Sequence, residues 1–157
     1  MKSNGGDFTW TNDGASARPP VGKRAFRVLV IDDDEADREL TIRQLGKAWP
    51  FEHEMIPESA NSGAEALNKM GATHYALVVL DWRLPGMDGG DVLRAMRRKR
   101  ILTPVIVVSG MERSHIPVDV EALGAVFLNK DEMNPVSLHE AVAKSLRLLG
   151  LESALAA

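Results

Sequence analysis

Cysteine is absent from all 157 residues, which excludes disulfides, thiol nucleophiles and cysteine-ligated metal centres. No apolar run approaches the roughly 18–20 residues needed to cross a bilayer. The opening Met1-Lys2-Ser3-Asn4-Gly5-Gly6 lacks the apolar stretch of a signal peptide. Neither sign of charge is in large excess: 26% of residues are charged and the formal net charge is −3. That balance gives no electrostatic case for nucleic acid or for an anionic membrane surface. The four histidines do not fall at the ends of the apolar runs, which argues against zinc. No internal repeat is visible. These absences together lead to the expectation of a soluble, cytoplasmic protein.

What is present is enough chain to bury one core. Residues 1–24 are rich in Gly, Asn, Asp, Ser and Pro and bury too little apolar surface to offset their ordering entropy. They read as a flexible arm, with Phe8 and Trp10 as its candidate anchors. Residues 25–150 read as one domain and 151–157 as a short tail.

Within the domain, strands and helices alternate. Strands are predicted at Phe26–Ile31, His53–Pro57, Ala76–Leu80, Pro104–Val108 and Ala125–Leu128. Helices are predicted from Glu35 to about Trp49, Ser62 to Met70, Gly90 to about Lys99, Pro117 to Leu123, and Pro135 to Leu149. Asp34 is the expected N-cap of the first helix, with Glu35 and Asp37 favourable in its first turn, and Gly71, Gly124 and Gly150 are expected C-terminal caps of later ones. Ala64 and Leu67 are expected on the inner face of the second helix, and Val92, Leu93 and Met96 on that of the third. The cationic run Arg94, Arg97, Arg98, Lys99 and Arg100 reads as a solvated helix face. Runs apolar on both faces belong to a parallel sheet covered on both sides. The expected fold is therefore a three-layer αβα sandwich with right-handed crossovers and strand order 2-1-3-4-5.

The ends of these strands carry the chemistry. Asp32 and Asp33 follow the first, Asp81 the third, Ser109 the fourth and Lys130 the fifth. In a parallel sheet they emerge on one edge, where open α/β folds place their ligands. Taken singly, each is an ordinary polar strand terminator; taken as a set, they are harder to dismiss. Crowded carboxylates repel, which raises a pKa or recruits a cation, and an all-oxygen set suits Mg²⁺. A lysine and a hydroxyl beside such a metal can bind phosphoryl oxygens. A carboxylate there can itself be the nucleophile, giving an aspartyl phosphate.

The stretches Val30-Ile31-Asp32-Asp33-Asp34, Leu80-Asp81-Trp82-Arg83-Leu84-Pro85-Gly86-Met87-Asp88-Gly89, Val107-Val108-Ser109-Gly110 and Leu128-Asn129-Lys130 resemble the receiver domains of two-component response regulators. Ser62-Gly63-Ala64-Glu65-Ala66-Leu67 is similar to that family's second helix, and the resemblance runs from about Arg27 to Leu149. It implies that Asp81 accepts a phosphoryl group from a sensor histidine kinase or a histidine phosphotransfer protein. Asp32, Asp33, Asp81 and the backbone carbonyl of Arg83 would hold Mg²⁺. Ser109 and Lys130 would bind phosphoryl oxygens, with Ser109 and Phe127 as the switch pair. Arg83 and Met111 would flank the path of hydrolytic water and set a long phosphate lifetime. With no output domain after Gly150, signalling through contact with a downstream protein is implied, and a homodimer is left open. At most the protein would self-phosphorylate and slowly self-dephosphorylate, without acting as an enzyme on other substrates.

Three departures from the family pattern qualify this. Asp131 stands where proline is usual after the lysine, so a trans peptide and a reshaped loop are expected. Phe127 lacks the hydroxyl of the usual tyrosine. The helix after Pro117 is short. Two rival readings follow from the same residues: a receiver-like module that binds partners without phosphorylation, and a phosphatase resembling the haloacid dehalogenases. The second requires its nucleophile at the end of the first strand and leaves Asp81 idle. A flavin-binding protein would need a phosphate cradle where Asp32 to Asp34 stand.

Overall fold

The computed structural model describes residues 25–52 and 54–148. The arm, the tail, Leu149 and Gly150 lie outside them. Five strands alternate with four α-helices: β1 (Ala25–Ile31), α1 (Glu35–Ala48), β2 (Glu54–Ala60), α2 (Gly63–Ala72), β3 (Leu77–Asp81), α3 (Gly89–Arg98), β4 (Val105–Ser109), β5 (Ala125–Asn129) and α4 (Pro135–Leu148). The sheet is wholly parallel in the expected order β2-β1-β3-β4-β5.

Side chains of a strand alternate between faces, and the two halves of the core divide accordingly. Leu29, Ile31, Val78, Leu80, Val105 and Val107 bury against α2 and α3 with Ala66, Leu93 and Met96. Val28, Val30, Leu77, Val79, Ile106 and Val108 bury against α1 and α4 with Leu45, Leu138, Val142 and Leu146. Every residue of β3 and β4 is buried, as expected for strands covered on both faces. β2 lies at the edge, where Pro57 removes no interior ladder bond.

The helix starts are specified locally. Asp34 caps α1 by accepting from the Asp37 N–H, and Ser62 caps α2 through Glu65 N–H. Asp88 and Asp91 form a reciprocal capping box on α3, a signal overlooked in the sequence. Two expectations for α2 need correction. Gly71 lies inside α2, which runs on to Ala72 with Thr73 as its extended C-cap. The inner face of α2 is Gly63, Ala66 and Met70, whereas Ala64 is exposed. A Cβ on Gly90 would stand 2.9 Å from the Trp82 ring, so glycine lets α3 start directly against the residue after Asp81.

The predicted helix from Pro117 to Leu123 does not form. Two 3₁₀ turns, Arg113–His115 and Glu121–Leu123, take its place. Proline disfavours helical backbone in the residue before it, and Ile116 is extended at φ −88°, ψ 115°. Only seven residues then remain before Gly124, which is left-handed at φ 78°, too few to recover the cost of helix nucleation. Ile116 and Val120 still bury against the α2–α3 side. Polar side chains secure the rest: Arg113 pairs with Glu121 at 2.7 Å, and the Ala122 N–H donates to Asp119 at 3.1 Å.

Arg97 also corrects its expected role. It is not a solvated charge but a partly buried one that donates to four carbonyls: Leu123 at 2.7 Å, Ile101 at 2.7 Å, Thr103 at 2.9 Å and Gly124 at 3.3 Å. It thereby ties the end of α3 to the loops entering β4 and β5. Replacing Arg97 with Met is expected to lower unfolding free energy by about 2–3 kcal/mol, because carbonyls satisfied by a charged donor are orphaned. The exposed Arg98→Met control should stay within about 0.5 kcal/mol. Chemical denaturation checks both.

Candidate functional site

β-Sheet register brings the candidate residues to one level. Ile31 stands beside Leu80, Asp81 beside Val108, and Ser109 beside Asn129. Asp32, Asp81, Ser109 and Lys130 are therefore either the last residues of their strands or the next ones along. They line an open cleft of about 590 Å³ together with Asp33, Asp37, Arg83 and Met111. A cleft of about 530 Å³ at the opposite end of the sheet, between Met70–Tyr75 and Arg100–Pro104, contains no carboxylate. The reactive groups are gathered at the first.

Asp32 and Asp81 are almost fully buried, at 3% and 6% exposure. One Asp32 oxygen accepts from the Asp34 N–H at 2.9 Å and the other from Lys130 Nζ at 3.2 Å. The same ammonium lies 3.4 Å from Asp81 Oδ1 and 3.3 Å from Asp37 Oδ2. Burial and then the neighbouring Asp32 charge push the Asp81 carboxyl up to about 6, against the opposing pull of Lys130. Burial works against the Lys130 charge as well. The carboxylates of Asp81 and Asp32 outweigh it and hold the lysine above its ordinary range.

Three further placements bear on the expectations. Ser109 is buried, and its Oγ accepts from the Met111 N–H at 3.0 Å, which fixes the hydroxyl at the end of β4. Arg83 and Met111 meet across the cleft, with Nη2 3.5 Å from the thioether sulfur. Phe127 is half-buried on β5, and the Arg113 guanidinium sits 6.0 Å from its ring centroid. Among the described residues every peptide bond is trans, so Asp131 follows Lys130 as expected. The loop is reshaped into a 3₁₀ turn, Lys130–Glu132, capped by Asn129. Asn129 also donates to the Met111 carbonyl at 3.1 Å, which links the β4 and β5 ends.

Two members of the site were missed in the sequence. Asp37 reads there only as a first-turn acid, and its approach to Lys130 spans 93 positions. Asn129 falls within the Leu128-Asn129-Lys130 stretch, but its bond to the Met111 carbonyl joins residues 18 positions apart.

One carboxylate oxygen each from Asp32, Asp33 and Asp81 can lie within 4.8 Å of one another. That spacing fits a hard divalent cation bound through oxygen. A family model for the response regulator receiver domain matches residues 28–143.

The chain belongs to the response regulator receiver family.

The receiver is 34% identical over 125 residues to the cell cycle transcriptional regulator CtrA of Caulobacter vibrioides, covering 76% of this chain and 52% of that one. It thus spans about half the length of that relative. A CheY-like response regulator receiver domain protein from Methanospirillum hungatei superposes with a TM-score of 0.66 at 27% identity, covering 82% of this chain and 98% of that one. Response regulator TrrA from Thermotoga maritima, solved in complex with Mg²⁺ and BeF, gives 0.65 at 29% identity, covering 77% and 99%. Receiver domains are phosphoacceptor signalling modules of two-component systems and bind Mg²⁺ at an acidic pocket. The carboxylate cluster here suits that ion. No described helix is long and apolar enough to cross a membrane.

The raised Asp81 carboxyl has a consequence for stability. A carboxyl raised in the folded state contributes stability that is fully present below its unfolded pKa and is lost as pH rises through about 6. In metal-free protein, Asp81→Asn is therefore expected to raise the melting temperature at pH 7.5 by about 3 °C or more. The gain should vanish below about pH 4. Thermal scans across pH check the sign.

Proposed function

We propose that Asp81 accepts a phosphoryl group from a phosphohistidine of a sensor kinase or histidine phosphotransfer protein, and that the phosphorylated receiver signals by contact with a downstream protein. The observation that carries this reading is the buried Asp81 carboxylate, 3.4 Å from Lys130 Nζ and beside Asp32 and Asp33. An Asp81 carboxylate oxygen attacks phosphorus, the P–N bond breaks, and the imidazole nitrogen leaves with the electron pair and takes up a proton. Lys130 and the Ser109 hydroxyl are the groups placed to bind phosphoryl oxygens. Asp32, Asp33, Asp81 and the Arg83 carbonyl are assigned as the Mg²⁺ ligands. The ion would supply charge neutralisation for the incoming anion.

The Asp81 pKa also suits the role. Above about pH 6 the carboxylate is ionised and nucleophilic, and near neutrality it is not so weakly basic as an exposed aspartate. Ser109 and Phe127 are the assigned switch residues. A rotation of Phe127 toward the space behind Ser109 would disengage it from Arg113, and so couple phosphorylation to the loop that replaces the expected helix.

Intact mass after incubation with acetyl phosphate and Mg²⁺ tests the assignment. Wild type is expected to gain one phosphoryl group and Asp81→Asn none. Absence of uptake, with beryllofluoride also failing to bind, would favour a receiver-like module that acts without phosphorylation.

Arg83 and Met111 meet in the lining of the cleft that holds Asp81 and are assigned to slow hydrolysis by excluding water. Either Met111→Glu or Arg83→Asn is expected to shorten the aspartyl phosphate half-life severalfold, read by mass or by radiolabel decay. A half-life equal to wild type in both would remove that role.

A further inference from the structure

Lys130 is held by more than the reaction requires. Its ammonium has three N–H donors and lies near three carboxylates: Asp32 at 3.2 Å, Asp37 at 3.3 Å and Asp81 at 3.4 Å. Two of the three change partners in the proposed reaction. Asp81 becomes an acyl phosphate and loses its charge, and Asp32, an assigned ligand, would be drawn to Mg²⁺ when the ion binds. Asp37 takes part in neither step. It is the third residue of α1, its backbone N–H is fixed by the Asp34 cap at 2.9 Å, and its side chain is half-exposed. The first turn of a helix favours a carboxylate there.

We infer that Asp37 is the positioning residue for Lys130: it keeps the ammonium over Asp81 while the other two carboxylates change partners. The inference rests on Asp81 being the phosphoacceptor. A long, flexible lysine chain loses rotamer freedom when held in place, and the residue after it, Asp131, does not constrain the chain as proline would. A carboxylate on the capped first turn of α1, reaching across to the β5 loop, supplies that restraint from outside the loop. Two donors fall free when Asp32 and Asp81 change partners, and these suffice for phosphoryl oxygens. Asp37 need not be displaced and does not compete with them.

The sign of one measurement separates positioning from plain electrostatics. Removing a negative charge near an anion site strengthens anion binding by Coulomb's law, whereas losing the restraint weakens it. The full chain is titrated with beryllofluoride in saturating Mg²⁺, followed by fluorescence of Trp82, which is buried beside Asp81. Asp37→Ala is expected to weaken binding about tenfold, with Asp37→Glu recovering most of the loss. Side-chain NMR of metal-free Asp37→Ala is expected to show greater mobility at the Lys130 ε-methylene than in wild type. Equal or tighter beryllofluoride binding in Asp37→Ala overturns the inference while leaving the phosphoacceptor reading intact. Failure of wild type itself to bind overturns both.

Discussion

One ammonium group holds the acidic edge of the sheet together. A parallel sheet with matched register delivers the ends of β1, β3, β4 and β5 to a single place, and here those ends carry mostly carboxylates. Asp32 and Asp81 are buried, and ionised groups out of water are costly unless they are paired and hydrogen-bonded. Lys130 offsets that cost for both, and reaches Asp37 as well. The balance remains incomplete, since Asp81 still holds its proton more tightly than an exposed aspartate would. A site left short of positive charge favours the uptake of a cation.

The same polar economy appears where the fold departs from regular αβ alternation. Between β4 and β5 the chain lacks a helix that would satisfy its own backbone. Arg97 fills part of the deficit by donating to the Leu123 and Gly124 carbonyls, and Arg113 bridges Ile116, Glu121 and the Phe127 ring. A helix packs as a unit, whereas this segment depends on two guanidinium groups and two buried apolar residues. Phe127 and Met111 both connect to it or to its first residues. The surface between Ser109 and Phe127 is thus held by side chains and not by a continuous helix.

Much of the architecture could be read from the residues alone, because the decisive signals are local. Apolar runs in β1, β3 and β4, the N-caps Asp34 and Ser62, and inward Leu138, Val142 and Leu146 on α4 all follow from periodicity and capping. The cluster of Asp32, Asp33, Asp81, Ser109 and Lys130 follows from the rule that parallel strands present their carboxyl ends together, while the strand order is the common one for a chain this short. The failures are instructive for the same reason. Gly71 suggested a helix end, but space around it is open and α2 continues to Ala72. The helix after Pro117 was lost to backbone sterics acting on too short a segment.

What the sequence by itself determined is therefore the fold class and the identity of the groups at the sheet edge, since hydrophobic period and strand-end position depend only on neighbours along the chain. Only the tertiary structure decided which of many charges meet. Arg97 looked like its neighbours Arg98 and Lys99 yet is drawn into four carbonyl bonds. Asp37 looked like a helix-dipole residue yet contacts a lysine 93 positions away. Pairing of that kind depends on distances between elements and on the solvent left around them, and neither quantity is written in the local pattern of residues.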